Sequence, residues 1–176
     1  FYLFSAEELD LIFEALGYDF THDMIKKNID YYLERTSHGS TLSLITHAWV
    51  LARSDREHSW HLFCKALDSD IEDIQGGTTP EGIHTGAMAG TVDLAQRCYT
   101  GLETREDVLW LSPSLPEGLD GLGLEVRYRG HWGINLQLTR RRLRVQVAPS
   151  DAAPIKVGVD GQVVQIPPGG MREFPL

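Results

Sequence analysis

Side chains capable of chemistry gather in two short stretches of this 176-residue chain. The first is Arg35-Thr36-Ser37-His38-Gly39-Ser40-Thr41-Leu42-Ser43. Gly39 permits a tight turn, the free N–H groups of a following helix start there, and the hydroxyls of Ser40 and Thr41 add donors. That combination can hold an oxyanion such as phosphate. Ser40, Ser43 and His47 fall at i, i+3 and i+7, on one helix face. Serine and threonine are equally the ordinary N-caps of a helix, and His47 suits a satisfied interior imidazole. The stretch therefore reads both as an anion seat and as a plain helix start.

The second stretch is Gly76-Gly77-Thr78-Thr79-Pro80-Glu81-Gly82-Ile83-His84-Thr85-Gly86. Pro80 fits the first turn of a helix, which puts Glu81 where the macrodipole favours its anionic form. His84 and Thr85 follow at i+3 and i+4, so the three side chains are expected on one patch. A carboxylate beside an imidazole suits general-base work or ligand orientation. The plainer alternative has Glu81 complementing the dipole and His84 packing. Gly82, Gly86 and Gly90 recur at i+4 steps, and glycine inside a helix costs roughly 0.5–1 kcal/mol relative to alanine. Such a stripe needs a reason, which close approach to a neighbouring helix or to a ligand would supply. Asp23, Asp70, Glu72 and Asp73 read as helix ends or surface acids.

The elements that must position these residues change character part-way along the chain. From Ser5 to about Cys98 apolar residues recur at helical spacing. Ser5 and Glu8 form a capping box before Leu9, Ile12, Phe13 and Leu16, with Gly17 as the stop. A second helix is expected from His22 to Glu34, with Ile25, Ile29, Tyr32 and Leu33 inward. A third runs from Ser40 to Ala52 on Leu44, Ala48 and Leu51. A fourth, capped by Asp55, carries Trp60, Phe63, Cys64 and Leu67, and a fifth extends from Pro80 to Tyr99. Beyond Gly101 the period is two: Val108 to Leu111, Leu124 to Tyr128, Ile134 to Leu138 and Leu143 to Val147 read as strands. Asp160-Gly161 between two apolar runs is a hairpin signal. The expected architecture is terminal helices over residues 1–104, then a small antiparallel β-sandwich over 105–176.

Composition excludes several function classes. Hydrophobic residues make up 42% of the chain and charged residues 23%, with a net charge of −9. Ordinary apolar content argues against disorder. The acidic balance argues against a nucleic-acid partner, which calls for a cationic surface. The Arg140-Arg141-Arg142 run then reads as a solvated strand end rather than a binding patch. No run approaches the roughly 20 apolar residues of a membrane span. Cys64 and Cys98 fit no metal-ligand or disulfide pattern and read as buried thiols in a reducing, cytoplasmic setting. No zinc, phosphate-loop or dinucleotide motif is present, so neither a metal nor a cofactor is expected. The chain opens on Phe1 with a helical pattern already under way and no signal-peptide pattern, as expected of a fragment. Trp110, Tyr128, His131 and Trp132 lie on or beside strands. They leave room for another reading, a non-catalytic carbohydrate-binding or structural domain.

The string Gly77-Thr78-Thr79-Pro80-Glu81-Gly82-Ile83-His84-Thr85-Gly86-Ala87-Met88-Ala89-Gly90 resembles a signature of glycoside hydrolase family 65, which includes maltose, trehalose and kojibiose phosphorylases and related α-glucoside hydrolases. Tyr31 to Ser43 and Trp49 to Arg53 resemble the family's penultimate barrel segment. Leu109 to Pro116 and Leu136 to Arg144 resemble its C-terminal β domain. The resemblance implies the last helices of an (α/α)6 barrel followed by that β domain. It also implies inverting attack on the α-glucosidic bond of a trehalose-, maltose- or kojibiose-type disaccharide.

Inorganic phosphate is the nucleophile and co-substrate in the phosphorylases. In a hydrolytic member a second carboxylate activates water, at roughly 6.5–9.5 Å from the acid. By the same resemblance Gly39, Ser40 and Thr41, with His38 alongside, match the phosphate-binding region. Thr78, Thr79 and His84 line the same pocket, and Glu81 matches the base of a hydrolytic, trehalase-like member. Gly39-Ser40-Thr41 stands where phosphorylases often carry Asp-Ser-Ser, a departure that lifts the hydrolase reading. No segment matches the family's general acid, so the acid is expected outside this chain and the fragment alone is expected to be inactive. The implied partners are the disaccharide, phosphate and the remainder of the barrel, and the resemblance allows a homodimer.

Overall fold

The computed structural model of the protein describes residues 4–37 and 39–176; His38 lies outside the described residues. The chain divides into two compact units, 1–92 and 93–176.

The first unit is helical. Helix α1 spans Ala6–Leu16 and α2 spans His22–Leu33, followed by α3 at Thr41–Leu51 and α4 at Arg56–Asp68. The expected capping box is formed: Glu8 N–H donates to the Ser5 hydroxyl and Ser5 N–H to the Glu8 carboxylate. Gly17, at φ +75°, ends α1 in the left-handed region open to glycine. Ser40 caps α3 and Asp55 caps α4 through side-chain oxygens. Leu44, Ile45, Ala48 and Leu51 of α3 are buried, as are Leu62, Phe63 and Ala66 of α4. The Ser59 hydroxyl donates to the Ala48 carbonyl at 2.5 Å, joining the two helices where small residues let them touch.

Not every expected inward position is covered. Leu16, Tyr32 and Leu67 are exposed rather than buried. Cys98 is buried and Cys64 only half-buried; both are free thiols. Burial, and then nearby Asp68, push the Cys64 thiol above its ordinary value.

The single helix expected from Pro80 to Tyr99 is instead three pieces. A 3-10 turn covers Thr79–Glu81, α5 covers Thr85–Asp93, and a π-turn covers Leu94–Cys98. Gly82 sits at φ +114°, a conformation that ends the first turn and reorients the chain. Glu81 therefore does not ride in the first turn of α5, and the macrodipole argument for it falls away. The glycine stripe divides likewise. A Cβ on Gly86 would lie 3.3 Å from Leu42 Cδ2, and one on Gly90 would lie 2.7 Å from Ile45 Cγ2. These two glycines let α5 cross α3 closely, whereas nothing lies within 4 Å of a Cβ on Gly82.

The second unit holds two four-stranded sheets. One is ordered β1-β2-β6-β7, comprising Glu103–Arg105, Val108–Leu111, Ile155–Val159 and Gln162–Ile166. The other is ordered β3-β4-β5-β8, comprising Gly121–Tyr128, His131–Thr139, Arg142–Val147 and Met171–Pro175. Alternation along β4 and β5 buries Ile134, Leu136, Leu138, Leu143, Val145 and Val147. Asp160 and Gly161, at φ +48° and +75°, make the predicted two-residue turn between β6 and β7. One expectation is corrected: β2 and β6 pair in parallel, with Leu109 opposite Val157, so the unit is not purely antiparallel. Their strands are far apart in sequence, and a parallel pair needs such a crossover.

Candidate functional site

Helix α4 ends at Asp68, with Ser69 as its C-cap. The seven residues that follow carry Asp70, Asp73 and Gln75, and each of these grips a different piece of backbone.

Asp73 is encircled by the glycine loop. Its two carboxylate oxygens accept from Gly77 N–H at 2.8 and 2.6 Å, and Oδ1 accepts from Thr78 N–H at 3.3 Å. The Thr79 hydroxyl donates to the same oxygen at 3.4 Å. Gly76 and Gly77, at φ +71° and +114°, allow the loop to turn its amides inward. The Gly77 amide, followed by those of Thr78 and Thr79, holds the Asp73 carboxyl below its ordinary value.

Asp70 takes the other end of the loop. It accepts from the His84 main-chain N–H at 2.9 and 3.2 Å and faces His84 Nδ1 at 2.6 Å. The main-chain amide of His84, then its ring, hold the Asp70 carboxyl below its usual value. An ionised carboxylate only accepts, so Nδ1 carries the hydrogen and Nε2 is left for other partners. The His84 and Asp70 side chains are 22% and 15% exposed, so the pair sits at the surface without being freely solvated.

Gln75 reaches across to the first stretch: its side-chain N–H donates to the Gly39 carbonyl at 2.9 Å, between residues 36 apart in sequence. The same side chain accepts from the Thr78 hydroxyl at 3.4 Å. The turn at Gly39 and the loop at Thr78 are thereby tied to one side chain, with α5 crossing α3 just beyond. The two stretches singled out in the sequence meet.

The individual residues fare differently. Ser40 is exposed, and its hydroxyl caps α3 by accepting from Leu42 N–H at 3.3 Å. Thr41 is buried, so its hydroxyl is not presented at the surface. Thr78 and Thr79 direct donors at Asp73 rather than outward. Glu81 is exposed at the end of its 3-10 turn. His47 is buried, with Nδ1 donating to the Ser43 carbonyl at 2.7 Å, the interior reading of that residue.

Asp70, Asp73 and Gln75 were not among the residues picked from sequence, where the two aspartates read as helix ends or surface. Asp73 carried a local signal, an Asx side chain shortly before Gly-Gly. Asp70 and Gln75 bond residues 14 and 36 positions away, and nothing in the local pattern marks that.

In the sheet unit Tyr128 stands opposite His131 across the β3–β4 pair. His131 is buried, with Nε2 at 2.8 Å from the Ala153 carbonyl, and Trp132 is 67% exposed beneath the Arg127 guanidinium at 4.0 Å. Arg140 and Arg141 form the β4–β5 turn, and Arg142 pairs with Glu173, consistent with a solvated strand end. No described helix is long and apolar enough to cross a membrane, and no cluster of candidate metal ligands occurs among the described residues.

The helical unit and the sheet-rich unit that follows it each match a family model. Residues 3–93 match the model of the glycosyl hydrolase family 65 central catalytic domain, and residues 102–166 match that of the family 65 C-terminal domain. The chain belongs to glycosyl hydrolase family 65, whose members are carbohydrate-active enzymes.

Among its relatives, an uncharacterized glycosyl hydrolase of Mycobacterium tuberculosis is 48% identical over 165 residues, covering 94% of this chain and 12% of that protein. Trehalose 6-phosphate phosphorylase of Lactococcus lactis is 35% identical over 130 residues, covering 73% of this chain and 17% of that protein. A solved structure named for kojibiose phosphorylase, from the human microbiome, superposes with a TM-score of 0.76 at 20% identity, over 89% of this chain and 22% of its own. That likeness shows the fold alone. The chain thus spans between about an eighth and a fifth of the length of these relatives.

Proposed function

We propose that this chain contributes the phosphate end of the pocket of an inverting α-glucoside disaccharide phosphorylase. In this reading the first unit supplies the closing helices of an (α/α)6 barrel and the second a β-sandwich domain. The observation that carries it is the Gln75–Gly39 bond. It ties the Gly39-Ser40 helix start to the loop that ends at His84, so an oxyanion seat and an imidazole share one neighbourhood. The positive end of the α3 dipole favours an anion there. The names of the relatives, trehalose 6-phosphate phosphorylase and kojibiose phosphorylase among them, support phosphate as co-substrate. Thr78 and Thr79 then act by shaping the loop around Asp73, and Ser40, Gly39 and His84 are the residues left to face phosphate.

The rest of the barrel is the partner this reading requires. Leu11, Leu16, Tyr31, Tyr32, Leu42 and Ile83 are exposed on the helical unit, an apolar surface that further barrel helices would cover. The proton donor would come from that remainder, and neither metal nor organic cofactor is called for.

A second reading rests on Glu81, whose exposed carboxylate stands beside the same loop. In a hydrolytic, trehalase-like member it would act as general base on water. The two readings separate in one assay on the whole protein with α-glucosyl disaccharides. Orthophosphate-dependent release of glucose 1-phosphate is the expected result. Release of free glucose at the same rate without phosphate would transfer the function to the hydrolase reading and to Glu81.

A further inference from the structure

The main chain and the ring of His84 are both held by one carboxylate, that of Asp70. Asp70 Oδ1 sits 2.9 Å from the main-chain nitrogen and 2.6 Å from ring Nδ1 of the same residue, and Oδ2 adds a third contact at 3.2 Å. A main-chain contact fixes where the Cα of His84 stands. A ring contact fixes the χ angles and the position of the ring hydrogen. Together they leave the imidazole one orientation, with Nε2 as the nitrogen open to a ligand.

Asp70 is itself anchored. It lies two residues beyond the end of α4, where the Glu72 and Ile71 N–H groups both donate to the Asp68 carbonyl at 2.7 and 2.9 Å. The same turn sends Asp73 into the Gly77–Thr79 amides and Gln75 to Gly39. The amides that could have formed an anion seat in the glycine loop are therefore occupied by an internal carboxylate. What remains for an external anion is the start of α3 and the imidazole.

We infer that Asp70 is the positioning residue of this site: it sets the Nδ1–H tautomer and the orientation of His84, so that Nε2 meets an oxygen of inorganic phosphate. The phosphate half of this inference rests on the phosphorylase reading above; the clamp itself does not. Asp70 touches no substrate and acts through His84, in the manner of outer partners that orient a ligand-binding imidazole. Asp73 has a complementary part. By filling the glycine-loop amides it keeps them from competing for the anion, which directs phosphate toward Nε2.

The test uses the whole protein, with the remainder of the barrel in place and its histidines 15N-labelled, and inorganic phosphate as the probe. Ring NMR of the wild type is expected to place the hydrogen on Nδ1 of His84, and Asp70→Ala to move it to Nε2 or to an average. Asp70→Asn keeps a carbonyl oxygen for the main-chain amide and so protects the fold, while removing the charge. It is expected to weaken phosphate binding about tenfold, a free-energy change of about 1.4 kcal/mol, with the amide signals of α5 unchanged. A wild-type ring carrying its hydrogen on Nε2 would overturn the clamp. Asp70→Asn binding phosphate as tightly as the wild type would reduce Asp70 to a structural role and overturn the inference. An Nδ1–H ring that does not respond to phosphate would support the clamp and instead remove the phosphorylase reading.

Discussion

The β3-β4-β5-β8 sheet and the loop between α4 and α5 are held together in opposite ways. In the sheet, backbone pairs with backbone in register, from Ile134 opposite Val147 to Leu138 opposite Leu143, and alternation turns those same side chains into a buried core. In the loop, backbone is held by side chains: the Asp73, Asp70 and Gln75 side chains pair with Gly77, Thr78, His84 and Gly39. A sheet stabilised by buried apolar area is expensive to damage and says little about function. A loop built from polar side chains adds little to global stability and decides which groups face a ligand.

The contrast can be broken most forcefully in the sheet. Leu143 is fully buried, and Leu143→Ala is expected to destabilise the second unit by about 2–5 kcal/mol. Chemical unfolding followed by strand-specific amide signals measures this. A loss below 1 kcal/mol would mean that the core is not where the ladder puts it.

The α3–α5 crossing gives a finer comparison between two glycines. Gly90→Ala pushes a methyl group to 2.7 Å from Ile45 Cγ2, and Ile45 is fully buried. It is expected to cost about 1–3 kcal/mol through overpacking, more than the helix propensity gained. Gly86→Ala meets only the end of Leu42, which is 53% exposed, and is expected to be neutral or stabilising by up to about 1 kcal/mol. Thermal melting of the two variants decides; equal effects would contradict the closer and less yielding contact at Gly90.

Much of the sheet was legible because its information is local. Strict alternation at Leu124 to Tyr128 and Leu143 to Val147, and the Asp-Gly pair, each specify their element without help from distant residues. The parallel β2–β6 pair was not legible, since no local pattern distinguishes it from an antiparallel partner. The helix caps at Ser5, Ser40 and Asp55 were local too, and all three form. The site was legible only in part. Glycine, threonine and histidine announced the loop, but its course depends on Asp70 and Gln75, which look like any exposed polar residue until their partners arrive. Gly82 was misread for a physical reason: i+4 spacing suggests a helix stripe, whereas Gly82 serves a positive φ.

Smaller effects test the loop. Gln75→Ala is expected to change global stability by less than about 1 kcal/mol, since it removes hydrogen bonds from a half-buried side chain without opening the core, yet to shift the amide signals of Ser40 and Leu42. Silence at those amides would break the link to Gly39.

Acid gives a still gentler perturbation. Asp70 and Asp73 have carboxyls held below the ordinary aspartate value of 3.8 in the folded chain. Their contribution is complete above that value, and it is lost as pH falls through their lower folded values, because protonation then removes the accepting charge. The Gly77 and His84 amide shifts are therefore expected to hold steady down to pH values at which exposed aspartates are already titrating, and to move only below them. Movement together with the exposed aspartates would contradict the clamps.

The central claim is that the Gly39 turn and His84 serve one anion, held in place by the turn that follows α4. The most direct measurement is a titration of the whole protein, barrel remainder included, with inorganic phosphate, followed at the amides of Ser40 and Thr41 and at the His84 ring. The account predicts that all three respond on one binding curve with a single dissociation constant, while Gly77 and Thr78, occupied by Asp73, stay still. Separate curves for the helix start and the ring, or a response confined to Gly77 and Thr78, would contradict it.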